Sequence, residues 1–100
     1  MLILIAKFRS KPEHRQQIID MSHEMLEPSR SEEGCICYEF LQDPFDPDSF
    51  TYLERWRNKE DLDLHFEMSY FKDFAEKLPD LIEGSTSLIT YEVSHENKTF

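Results

Sequence analysis

Phe50-Thr51-Tyr52-Leu53-Glu54-Arg55-Trp56-Arg57-Asn58-Lys59-Glu60-Asp61-Leu62-Asp63-Leu64-His65-Phe66 runs from a strand-like segment straight into a helix start. In its first half Phe50, Tyr52, Glu54 and Trp56 alternate with Thr51, Leu53, Arg55 and Arg57, the period of an extended chain. Large groups occupy both sets, so the reading is a strand with neither face freely solvated. Asn58 is an N-cap residue, and Asp61 three positions on takes the place that Glu or Gln holds in a capping box. The same seventeen residues bring an aromatic, a carboxylate and an imidazole close together, so the segment is also where chemistry is expected.

Upstream, Cys35–Gln42 has the same β-branched and aromatic character. The intervening Asp43-Pro44-Phe45-Asp46-Pro47-Asp48 is dense in turn formers, so 35–57 reads as a β-hairpin. Leu2–Arg9 reads as a first, buried strand. A helix is expected from Pro12, with Ile18, Ile19, Met21, Met25 and Leu26 on its apolar side and Pro28 and Gly34 bracketing its end. A further helical period, Phe71, Phe74, Ala75, Leu78 and Ile82, starts at Ser69 and runs towards Gly84, with Pro79 as a kink or break. Leu88–Val93 reads as the last strand and residues 94–100 as a polar tail. The order strand, helix, strand, strand, helix, strand is that of a ferredoxin-like α+β unit, one antiparallel sheet with helices on one face. Residues 1–100 are expected to form one domain. Apolar residues on the open sheet face would be buried against a second copy, so a face-to-face homodimer is expected.

A formal net charge of −10 argues against nucleic acid and anionic membrane surfaces, which require clustered Lys and Arg. Thirteen aromatics against two Gly point to an aromatic core, a ligand cavity, or both. Cys35 and Cys37 lie at i, i+2 on a strand, about 6.6 Å apart by strand rise, and are expected as free thiols. With no charged leader ahead of Leu2 and no long apolar span, a reducing cytoplasm is the expected setting.

Asp43, Asp46, Asp48 and Glu54 invite a calcium-loop reading, since Glu54 is twelfth from Asp43. That reading fails because Phe45 and Pro47 stand at ligand positions and Asp48 replaces the glycine of the sixth. His14, His23 and His95 lack metal-ligand spacing, so no metal is expected. His65 is the candidate base, its resting pKa being about 6.5. Asp61, one turn earlier, is placed either to cap the helix or to orient that ring. Glu54 shares a face with Tyr52 and Trp56; desolvation there would raise its pKa unless an Arg pairs with it.

Ile5-Ala6-Lys7-Phe8-Arg9 before Pro12, Glu27-Pro28-Ser29-Arg30, Glu33-Gly34-Cys35, Tyr38-Glu39, Leu53-Glu54-Arg55-Trp56, His65-Phe66, Phe71 and Tyr91-Glu92-Val93 follow one another in an order that resembles the antibiotic biosynthesis monooxygenase family. The resemblance covers nearly the whole chain. It implies a dimeric α+β barrel with a pocket between helices and sheet in each subunit. It also implies oxygenation of a quinol or polycyclic phenol by molecular oxygen without a cofactor. By position His65 matches the pocket histidine of many relatives and Trp56 the aromatic that lines the pocket. Phe8, Phe66 and Phe71 would shape it further, with Glu54 and Tyr70 as additional substrate contacts. Tyr70 stands where relatives often carry a second histidine. Phe8 and Ala75 stand nearest the Asn and the iron-ligating His of haem-degrading cousins, so haem is not expected. An isomerase of a small keto compound, using the same base without oxygen, and a non-catalytic dimeric module binding a small aromatic ligand are the two alternatives.

Overall fold

A computed structural model describes residues 1–100. The hairpin expected from the opening segment is present as β2 (Cys35–Gln42) and β3 (Ser49–Trp56). Asp43 organises its loop by accepting the backbone N–H groups of Phe45 and Asp46 at 2.8 and 3.2 Å, an Asx-type turn. β1 (Leu2–Ser10) pairs antiparallel with β3, and β4 (Ile82–Glu92) pairs antiparallel with β1. The four-stranded sheet therefore has the order β2-β3-β1-β4, the ferredoxin-like arrangement, with helices on one face.

The inward residues of β3 are Phe50, Tyr52, Glu54 and Trp56, all buried, and those of β1 are Leu4, Ala6, Phe8 and Ser10. α1 (Arg15–Arg30), α2 (Lys59–Glu67) and α3 (Ser69–Lys77) contribute Ile18, Met25, Leu62 and Phe74 to the same core. Asn58 caps α2 as its sequence indicates, accepting the Asp61 backbone N–H at 2.8 Å.

Two boundaries differ from the sequence reading, and a third matches it. Pro12 opens a short 3-10 turn, Pro12–His14, and α1 begins at Arg15. The end of α1, at Arg30, falls between Pro28 and Gly34 as expected, and tertiary contacts hold its last turn: Ser29 is fully buried and the Arg30 guanidinium donates to the Tyr38 carbonyl at 2.9 Å. The last helix stops at Lys77, a 3-10 turn carrying Pro79 follows at Leu78–Leu81, and β4 starts at Ile82 rather than Leu88. Gly84 is thus a strand residue, not a helix stop. Its φ of +68° falls where the pairing of β4 with β1 shifts register between Lys7 and Arg9.

The opposite face of the sheet carries no element of this chain. Ile3, Ile5 and Leu53 are half-buried there, while Leu41, Ile89 and Tyr91 are between 44% and 49% exposed. No helix is long and apolar enough to cross a membrane.

Candidate active site

Because β3 alternates strictly, Glu54 is forced onto the inward face between Tyr52 and Trp56, opposite Leu4 on β1 and Tyr38 on β2. That face does not close completely against the helices. A cavity of about 200 Å³ remains, with walls from both sheet and helices: Leu4, Ala6 and Phe8 of β1, Tyr38 of β2, Tyr52 and Glu54 of β3, and Phe66, Phe71 and Phe74 of α2 and α3. Twelve of the fifteen wall residues are hydrophobic, so the space is dry and any charge in it is poorly solvated. Ala75, Pro79 and Leu88 are wall residues exposed to solvent, which places the mouth between the end of α3 and edge strand β4.

Glu54 is the one charged side chain in that wall. It is 5% exposed, and its partner is the Trp56 indole, whose Nε1–H donates to Oε1 at 2.9 Å. Burial pushes its carboxyl up to about 7; the indole hydrogen bond opposes this, and the nearby Glu32 charge adds to it. The arginine that a structural role for Glu54 would require is elsewhere, since Arg55 reaches Glu96 and Arg57 pairs with Asp61 at 2.7 Å.

Of the wall residues expected from the sequence, Glu54, Phe8, Phe66 and Phe71 meet in the cavity. Trp56 and Tyr70 do not. Trp56 is fully buried behind the wall, because its indole packs on the His65 ring at 4.7 Å and turns its N–H to Glu54. Tyr70 lies on the far side of α3, where its hydroxyl donates to Glu32.

His65 is also one layer back. It has no exposed surface and is enclosed by Tyr38, Trp56, Phe66 and Phe71. Its Nδ1 lies 2.6 Å from Glu32 Oε2. A carboxylate only accepts, so the Nδ1 proton is the donor, and in the neutral ring Nε2 is then a bare lone pair. That Nε2 is buried without a hydrogen-bond partner. Burial lowers the His65 pKa below its ordinary 6.5 against the opposing pull of Glu32, so the ring is neutral at pH 7.

Asp61 does not orient the imidazole: its backbone N–H is capped by Asn58, and its carboxylate is clamped by Arg57. Cys35 and Cys37 are free thiols, and burial near Glu54 and Glu32 pushes the Cys35 thiol up to about 11, where it is unreactive.

Sequence reasoning missed Glu32, which stands in a turn beside Glu33 with nothing local to distinguish the two. It also missed Tyr38 as a wall residue, although its alternation on β2 opposite Glu54 carries that signal.

The architecture has well-matched counterparts. A solved structure described as a conserved protein from Methanosarcina mazei is 30% identical, with a TM-score of 0.86 over 90% of this chain and 89% of its own. A Synechocystis protein of uncharacterised function, sll1783, is 38% identical over 93 residues; the match takes in 93% of this chain but 63% of that longer relative. The Bacillus subtilis protein named "Putative monooxygenase YcnE" is 27% identical over 94% of this chain and 99% of its own length. The model of the family described as antibiotic biosynthesis monooxygenase matches residues 1–77, which take in β1 through α3 and every residue of the Glu54, His65 and Glu32 constellation. This chain therefore belongs to the antibiotic biosynthesis monooxygenase family.

Proposed function

We propose that the protein is a cofactor-independent monooxygenase that converts a small phenol or quinol to a quinone with molecular oxygen. The observation that carries this reading is Glu54, a lone carboxyl held at about 7 in the wall of an apolar cavity. A base at that position takes the substrate's hydroxyl proton, and the electron-rich phenolate then passes an electron to oxygen. Recombination forms a carbon–oxygen bond at a ring carbon that carries hydrogen, para to the hydroxyl in a phenol or ortho to it in a quinol. That hydrogen passes as a proton to the outer oxygen as the O–O bond breaks, which leaves the second carbonyl, and the departing hydroxide takes back the proton from Glu54. The balance is one phenol or quinol and one O₂ giving one quinone, a hydroxyquinone in the case of a quinol, and one water.

Magnitudes favour Glu54 for the first step. A phenol near pKa 10 giving its proton to an ordinary carboxyl of 4.5 is uphill by about 7 kcal/mol; to one near 7 the gap is about 4 kcal/mol. Cavity size narrows the substrate. An apolar void of ~150 Å³ admits benzene, so about 200 Å³ suits one or two rings rather than an extended polycycle. Phe8 and Ala75 both wall the cavity and offer no ligand atom to a haem iron, which supports the expectation against haem.

The reading extends to the assembly. A second copy covering the face that bears Ile3, Ile5, Leu53, Ile89 and Tyr91 would complete the α+β barrel as a homodimer of single-domain chains. Light scattering returning twice the chain mass at micromolar concentration is the expected result. Free thiols accord with a reducing, cytoplasmic setting.

Oxygen consumption by chelator-treated protein, measured over one-, two- and four-ring phenols, tests the chemistry. Turnover with one- or two-ring substrates should fall ~10²–10⁴-fold in Glu54→Gln, the usual worth of a general base. Turnover that survives Glu54→Gln but is lost in His65→Ala would return the base to the imidazole. A flat trace with every phenol would contradict the oxygenase reading.

A further inference from the structure

Four groups lie in series from the turn after α1 to the cavity wall. The Glu32 carboxylate accepts the His65 Nδ1 proton at 2.6 Å and the Tyr70 hydroxyl; the His65 ring packs on the Trp56 indole at 4.7 Å; Trp56 Nε1–H donates to Glu54 at 2.9 Å. Trp56 and His65 have no exposed surface and the Glu32 side chain is 10% exposed, so none of these contacts is diluted by water. Glu32 comes from the turn between α1 and β2, a segment that contributes nothing to the cavity wall. A carboxylate buried there must be held, and its two donors come from α2 and α3, so the turn is tied to both helices that roof the cavity.

We infer that Glu32 is a positioning residue for Glu54, acting by contact through His65 and Trp56 and by its own negative charge across the same dry layer. This inference rests on Glu54 as the proton acceptor. The groups that face Glu54 are Tyr38 and Cys35 on β2, Tyr52 and Trp56 on its own strand, and Glu32 in the turn, with His65 on α2 packed against Trp56. Burial raises the Tyr38, Tyr52 and Cys35 pKa values and lowers that of His65, so all four are neutral near pH 7. Glu32 is then the one charge in the set. It opposes ionisation of Glu54, while the Trp56 N–H favours it. The two therefore work in opposite senses on one proton.

Opposed signs make the test specific. The Glu54 side-chain carboxyl is followed by ¹³C NMR against pH in full-length protein labelled at glutamate, with Glu54→Gln identifying its resonance. Glu32→Gln retains acceptor geometry but removes the charge, and should move the Glu54 midpoint to lower pH. Glu32→Asp retains the charge, and should leave the midpoint near that of the wild type. Trp56→Phe removes the donor, and should move it to higher pH. A merely structural role for Glu32 would lower stability in both Glu32 variants and shift the midpoint in neither, while Trp56→Phe would still shift it. A midpoint unmoved by Glu32→Gln, or moved equally by Glu32→Asp, overturns the inference. Because the titration needs no substrate, absence of oxygen uptake would count against the oxygenase reading alone. Should Trp56→Phe fail to fold, the two Glu32 variants decide the question.

Discussion

Two buried carboxylates sit at opposite ends of β3, and the sheet treats them differently. Asp48, just ahead of the strand, is 6% exposed and accepts from Ser10 Oγ at 3.1 Å and Arg15 Nε at 2.7 Å, with Arg9 3.9 Å away. The Arg15 hydrogen bond holds its pKa below the ordinary carboxylate value despite burial. Glu54, six residues later and 5% exposed, has one neutral donor, no cation and a cavity in front of it, and burial takes it to about 7. Similar solvent exposure thus accompanies a pinned anion at one end and a carboxyl near neutrality at the other. Glu54 is the more deeply desolvated of the two, and what each carboxylate touches adds to the difference, which is why exposure alone identifies no site.

Stability against pH should separate the two ends most strongly. Glu54 has a folded pKa raised from 4.5 to about 7, so the folded state keeps a proton that the unfolded chain has released, and stability falls as pH rises through that window. Chemical denaturation at pH 4 and pH 9 should show the wild type losing about 3 kcal/mol relative to Glu54→Gln, so the variant gains stability at high pH while losing turnover. Equal pH dependence in the two proteins would mean Glu54 is not held near neutral.

A smaller effect comes from the turn that carries Glu32. Gly34 packs against Asp61 so closely that an added methyl would overlap that side chain, which is itself clamped by Arg57 and the α2 cap. Gly34→Ala should therefore cost about 1–3 kcal/mol in a denaturation titration. It should also disturb Glu54 more than Asp48, because the turn behind the cavity is what shifts.

The smallest change is expected at Asp48, since Arg9 and Arg15 are 48% and 38% exposed and solvent screens their charge. A depressed folded pKa contributes stability that is present above the unfolded value of 3.8 and lost as pH falls through the folded one. Asp48→Asn should lower the unfolding midpoint at pH 7 and leave it nearly unchanged at pH 2, the reverse of the Glu54 pattern. Thermal scans at the two pH values check this, and a loss of equal size at both would remove the electrostatic explanation.

How much was legible in the sequence follows the range of the interactions. The hairpin, the inward set Phe50, Tyr52, Glu54 and Trp56, and the Asn58 cap depend on neighbours one to four residues away, and their periodicity states them directly. Pro28 and Gly34 bracket the end of α1, which falls between them at Arg30, although the contact that helps hold the last turn, to the Tyr38 carbonyl, comes from β2. The apolar period of α3 extends past Lys77 although the chain there turns into β4, where burial at Leu78, Leu81 and Ile82 continues the pattern in a different backbone. At the site, Glu54 was readable from its face on β3, whereas Phe8, Phe66 and Phe71 came from the family resemblance. The partner of His65 was not: Asp61 is the local candidate at one helical turn, whereas Glu32 lies 33 residues away in sequence and reaches the ring through packing of the turn on two helices.

The central claim is that the chain keeps one carboxyl near neutrality inside a dry cavity to accept a proton. Side-chain ¹³C titration of Glu54 in the wild-type protein tests it most directly. The account requires a midpoint near 7 and a resonance that disappears in Glu54→Gln. A midpoint in the ordinary carboxylate range, about 4–5, would contradict it.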